Sequence, residues 1–102
     1  MEMEEIVFTI IAHSGDAKSS SLEAIQLAKK GNSGDAKQLI KKAEEKLIMA
    51  HREQTKLIQR EAQGLPVEIN LLIIHAQDHL MNAMTVKELA NEMIDIYDRI
   101  TE

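Results

Sequence analysis

The run Leu71-Leu72-Ile73-Ile74-His75-Ala76-Gln77-Asp78-His79-Leu80-Met81 sets two imidazoles and a carboxylate inside an otherwise apolar segment. Such groups are costly to bury unless they have partners or a task. At helical spacing His75 and His79 lie about 40° apart, with Asp78 about 60° to the other side of His75, so the three share one broad face. Ile73, Ile74, Leu80, Met81, Ala83 and Met84 spread around the rest of the circumference. A helix that is apolar all round is a buried helix. In a chain of 102 residues a three-helix core leaves one face of each helix wet, so burial on every side implies neighbours from other subunits.

Outward from that run, turn chemistry recurs at Gly31-Asn32-Ser33-Gly34 and Gly64-Leu65-Pro66, where Gly freedom and the fixed φ of Pro break a helix. These breaks divide one domain, 1–102, into three segments predicted as long antiparallel helices over roughly 4–31, 34–63 and 66–101. In the first, Ile6, Ile10, His13, Ala17, Ser20, Ala24 and Leu27 recur at alternating spacings of four and three, as a helix seam requires. The serines and Gly15 favour a break there by propensity, but the seam outweighs it. The second opens with a cap at Ser33 or Asp35 and carries Ala36, Ile40, Ala43, Leu47, Ala50 and Leu57 on one stripe. The third continues through Val86, Leu89, Met93, Ile96 and Ile100 without internal Gly or Pro. The expected fold class is all-α.

Composition narrows the function. The chain has no Cys or Trp, one Phe, one Tyr and six Met, a palette for helix packing without disulfide or thiol chemistry. A net charge of −5 with interspersed signs argues against nucleic acid, which needs a concentrated basic face. The apolar stretch from Ile6 to Ala12 is too short for a signal peptide, and no run approaches a membrane span. A cytoplasmic protein is expected.

His75 can accept and donate a phosphoryl group, since a neutral imidazole is a good nucleophile and a tolerable leaving group when protonated; the bland alternative is a hydrogen-bonded core histidine. His75 and His79 at i, i+4, with Asp78, also have a spacing suited to zinc, although the Glu that zinc peptidases place after the first His is missing. Asp78 has no cationic neighbour one turn away, only Ile74 and Asn82. If identical subunits met on an axis, its copies would repel unless protonated or bridged by a hard divalent ion such as Mg²⁺. His13 and His51 are expected to serve packing. Gln77 points about 200° from His75 and can support it only from another subunit.

His75-Ala76-Gln77-Asp78-His79-Leu80-Met81 resembles the active-site motif of the enzyme IIA components of the lactose/cellobiose class in the bacterial phosphoenolpyruvate-dependent sugar phosphotransferase system. Ile11-Ala12-His13-Ser14-Gly15-Asp16-Ala17-Lys18-Ser19 and Ala50-His51-Arg52-Glu53-Gln54-Thr55-Lys56-Leu57-Ile58-Gln59 resemble the family's first and second helices, so the likeness spans the chain. It departs where the family more often has Ala-Gly-Asn in place of Ser14-Gly15-Asp16, which adds a charge near His13. The resemblance implies a homotrimeric bundle of three-helix subunits, a phosphohistidine at His75, phosphate received from HPr and passed to a cysteine of the cognate enzyme IIB, and Asp78 meeting its symmetry mates around a magnesium ion. His79 and, from a neighbouring subunit, Gln77 are expected to support the phosphoryl group. A cellobiose-like β-linked disaccharide is favoured over lactose as cargo. The competing expectations are a non-catalytic trimeric helical adaptor, whose polar cluster only sets register, and a metal hydrolase using His75 and His79.

Overall fold

The computed structural model describes residues 2–100, which form three α-helices: α1 (Glu2–Lys29), α2 (Ser33–Ala62) and α3 (Leu71–Ile100). They lie side by side in a rod of 55 × 20 × 19 Å, so the all-α, three-helix expectation holds. Each turn follows from its residues. Gly31 takes φ +82 and Gly64 φ +78, the left-handed geometry that glycine adopts without a Cβ penalty. At the first turn the Gly31 and Asn32 N–H groups donate to the Ala28 and Leu27 carbonyls, and at the second the Leu65 N–H donates to the Arg60 carbonyl. These bonds satisfy helix-end acceptors that would otherwise be left open.

Two helix starts differ from expectation. The residue preceding α2 is Asn32, whose side-chain amide donates to Asp35 rather than capping the backbone, so neither Ser33 nor Asp35 is the cap. The third helix begins at Leu71, five residues after Pro66. The stretch 65–70 is not helical, and the Asn70 side chain accepts from the Ile73 N–H at 2.9 Å. Asn at this position outcompetes Pro because it fills a donor that Pro would leave to water. The expected end of this helix at 101 lies outside the described residues.

The α2 stripe is buried throughout at Ala36, Ile40, Ala43, Leu47, Ala50 and Leu57. The α1 seam keeps Ile6, Ile10, Ala17 and Ala24 but buries Ser14, Ser21 and Ala28 in place of His13, Ser20 and Leu27. At His13/Ser14 and Leu27/Ala28 the smaller residue of the pair faces inward, because a side chain without bulk lets backbones near one another; at Ser20/Ser21 the two are equal in size and helix rotation alone turns Ser21 inward. Ser21 meets its hydrogen-bonding need locally, donating to the Ala17 carbonyl at 2.8 Å. The α1 helix packs along both others, whereas α2 and α3 meet less extensively.

Candidate functional site

Helix α3 is buried on one face only. Ile73, Ala76, Leu80, Ala83, Ala90 and Ile94 pack into the subunit. On the opposite side Leu71, Ile74, Met81, Leu89, Met93, Ile96 and Ile100 are exposed, and at helical spacing they fall within about 60° of Asp78. The result is a largely apolar stripe running the length of α3, with the exposed carboxylate of Asp78 near the His75 end and that of Glu92 further along. Burial all round α3 is therefore not achieved within a subunit; a single copy leaves this face open.

His75 sits on one flank of the stripe. It is exposed, and His79 one turn further on is half-buried; their ring centroids stand 4.4 Å apart in an edge-to-face arrangement with an interplanar angle of 86°. The packing restricts the rotamers of both rings and leaves His75 accessible to a partner. A surface hollow beside it is walled by Leu71, Leu72, Ile74, His75 and Asp78. Asp78 makes no ion pair within the subunit. Among the described residues no group of three histidines or carboxylates converges to hold a metal ion, so the His75, Asp78 and His79 set expected for a zinc hydrolase is not assembled by one chain.

Gln77 lies on the other flank, about 160° from His75 by the shorter way round. There it meets Gln54 of α2, whose Nε2 donates to Gln77 Oε1 at 2.5 Å. Sequence reasoning missed Gln54. Its signal was the spacing of the α2 stripe, where the step from Ala50 to Leu57 skips one seam position and that position is Gln54. His51 is exposed and its carbonyl accepts from the Thr55 hydroxyl. His13 is half-buried, with Nδ1 shielded from solvent. Neither comes to His75.

Carboxylates dominate the half of the rod containing His75, where Glu2, Glu4, Glu5, Asp16, Glu53, Glu61, Glu68 and Asp78 outnumber Arg52, Lys56 and Arg60. The distal half is balanced. No described helix is long and apolar enough to cross a membrane.

Comparison with known proteins places this geometry. The chain is 54% identical over 101 residues to the lichenan-specific phosphotransferase enzyme IIA component of Bacillus subtilis, covering 99% of this chain and 92% of that one. It is 37% identical over 99 residues to the N,N'-diacetylchitobiose-specific EIIA component of Escherichia coli, covering 97% and 85%. Among solved structures, the cellobiose-specific enzyme IIA from Bacillus anthracis superposes with a TM-score of 0.95 at 51% identity, over 98% of this chain and 92% of that one. The IIA(chitobiose) protein of Escherichia coli, solved in complex with HPr, superposes with a TM-score of 0.86 at 36% identity, over 100% and 99%. The family model for the lactose/cellobiose-specific IIA subunit of the phosphotransferase system matches residues 5–98, and with its three helices and exposed His75 the chain belongs to that family of phosphoryl carriers.

Proposed function

We propose that His75 takes a phosphoryl group from phospho-HPr and hands it to a cysteine of the cognate enzyme IIB in the cytoplasm, in support of the uptake of a β-linked disaccharide. The observation that carries this reading is the exposed His75 ring, braced edge-to-face by His79 at 4.4 Å beside an unpartnered apolar face. In the first step Nε2, with the ring proton kept on Nδ1, forms a bond to phosphorus as the donor's bond to phosphorus breaks. In the second the cysteine sulfur forms its bond as the Nε2–P bond breaks, returning a neutral imidazole. Positioning and stabilisation of the equatorial oxygens supply most of the rate in such transfers. His79 is within reach to donate to those oxygens. The HPr complex of the chitobiose relative supports HPr as donor, and the lichenan-specific and cellobiose-specific relatives favour a cellobiose-like cargo over lactose.

The functional unit in this reading is a homotrimer with the α3 stripes turned inward. Leaving a stripe of this length in water is costly, and a closed ring of identical copies covers it. The ring sets one flank of each α3 against the opposite flank of the next, which brings Gln77 of one subunit toward His75 of its neighbour. It also gathers three Asp78 carboxylates. Asp78 is an exposed carboxylate with no cation beside it; three converging copies fit a hard divalent ion with oxygen ligands, Mg²⁺ above all. Bound there, the ion would neutralise repulsion between subunits.

Intact-mass analysis after incubation with phosphoenolpyruvate, enzyme I and HPr tests the assignment. One acid-labile phosphoryl group is expected on the native chain and none on His75→Ala. Phosphorylated HPr with no mass added to the native chain would overturn it and favour the non-catalytic trimeric adaptor.

A further inference from the structure

From the hydrogen bond between Gln54 and Gln77 we infer that Gln54 is a positioning residue, one that fixes which end of the Gln77 amide faces the phosphoryl group; the inference rests on the phosphocarrier reading of His75. A glutamine amide carries an acceptor oxygen on one side and a two-donor nitrogen on the other, and nothing in its shape decides which way it turns. The end that its partner presents does, and Gln54, an amide that could offer either, offers its nitrogen here. Gln54 Nε2 donates to Gln77 Oε1, so the Gln77 oxygen is committed to the α2 side and its NH₂ group remains uncommitted.

That orientation has a consequence at an anionic centre. A phosphoryl group needs donors, and an amide presenting its oxygen would repel it. Both residues are half-buried, and Gln54 occupies the one polar position in an otherwise apolar α2 stripe. An apolar residue there would pack as well but would leave Gln77 free to turn. The pair therefore does more than set the register of two helices. It holds donors on the flank of α3 that a neighbouring subunit's His75 faces in the trimer.

Two substitutions separate this role from a merely structural one, because they predict opposite orders. Gln54→Glu keeps an inter-helix hydrogen bond but can only accept, so it draws the Gln77 NH₂ group toward α2 and turns the Gln77 oxygen toward the phosphoryl site. Gln54→Met removes the bond and leaves Gln77 free to adopt either orientation. Loss of a donor at a developing charge typically costs at least about tenfold in rate. Rapid-quench measurement of phosphoryl uptake from phospho-HPr should therefore show Gln54→Glu slowed by about tenfold or more and Gln54→Met by only a few-fold. A residue that only ties α2 to α3 predicts the reverse, with the glutamate variant near native and the methionine variant worse, and that order would overturn the inference.

The side-chain amide of Gln77, followed by ¹⁵N NMR, gives a signature independent of activity. Its NH₂ resonances should move to hydrogen-bonded positions in Gln54→Glu and stay near those of the native protein in Gln54→Met; unchanged resonances in Gln54→Glu would overturn the reorientation. Should both Gln54 variants fail to fold, Gln77→Glu serves, since it keeps the acceptor for Gln54 and removes the outward donors. Slow transfer with native stability is then expected, and a native rate would contradict the role. A native chain that takes up no phosphate would instead indict the phosphocarrier reading itself.

Discussion

The two ends of the rod are built differently. Around the site, Ile6, Val7, Ile10, Leu47, Leu57, Ile73 and Leu80 form a core of larger side chains, and the half-buried Gln54–Gln77 pair lies at the same level. The distal core contains Ala24, Ala28, Ala36 and Ala90, with only Ile40 and Ile94 as bulky members among its fully buried side chains. There the helices approach closely, and Lys37 of α2 pairs with Asp98 of α3 at 3.2 Å. The distal end acts as a clasp of small residues, while the site end carries the polar groups and the net negative charge. Separating the two lets the site bear an exposed histidine and an unpaired carboxylate without being the sole support of the fold.

Substitutions should break or sharpen that contrast. The largest effect is on chemistry: His75→Ala is expected to abolish phosphoryl uptake, a loss of three or more orders of magnitude by roughly the scale of a removed nucleophile. Because His75 is exposed, thermal unfolding should shift by no more than about 0.5 kcal/mol. A large stability loss would mean that the site end supports the fold more than its exposure implies. Leu80→Ala, at a fully buried position in the larger core, should cost about 2–5 kcal/mol, read as a lower denaturant midpoint. Met81→Glu lies on the exposed side of the same turn and should leave the subunit helical while disfavouring trimerisation by about 3 kcal/mol, since it adds a buried charge of the same sign one turn from Asp78. Light scattering would report this as a fall from trimer toward monomer mass.

At the clasp, enlargement should be worse tolerated than truncation. Ala90→Leu forces extra volume into a position with no exposed surface and should destabilise by about 1–3 kcal/mol, measured by urea unfolding; a neutral result would show that the helices are not held at close approach. The smallest effect concerns Asp98. The Ser33 hydroxyl and the Lys37 ammonium beside it hold its carboxyl below the ordinary value of 3.8. A carboxylate titrating lower in the folded state contributes stability that is complete above the unfolded value and is lost as pH falls through the folded one. Asp98→Asn should melt slightly below the native protein at neutral pH, and the gap should close in strong acid. A gap that persisted there would assign the difference to packing rather than to charge.

How far the fold was legible varied with the helix. The α2 stripe could be read residue by residue because its alternating spacing of four and three runs unbroken from Ala36 to Ala50, whereas the apolar residues off it, Leu39, Ile48, Met49 and Ile58, make no continuous second seam. In α1 either member of the adjacent pairs His13/Ser14, Ser20/Ser21 and Leu27/Ala28 suits a seam, and hydropathy ranks only the last pair clearly, in favour of Leu27. Distance between backbones selected the smaller member at 13/14 and 27/28, which no one-dimensional pattern encodes. The start of α3 was misplaced at Pro66 because Pro is a good first residue; the competing Asn70 cap wins through a hydrogen bond that local spacing alone did not rank.

The site shows the same division. The motif from His75 to Met81 determined by itself that two imidazoles and a carboxylate share a face, since helical periodicity follows from covalent geometry and hydrogen bonding alone. That α3 is apolar on more faces than one subunit needs was likewise written in the sequence. Only the tertiary structure decided which of those faces stays open, that His75 is exposed while His79 is half-buried, and that Gln77 is met by Gln54 from another helix. These depend on how three rods are rotated about their axes. Rotation is settled by the volumes that interlock between helices, a property of the pairs and not of any one segment.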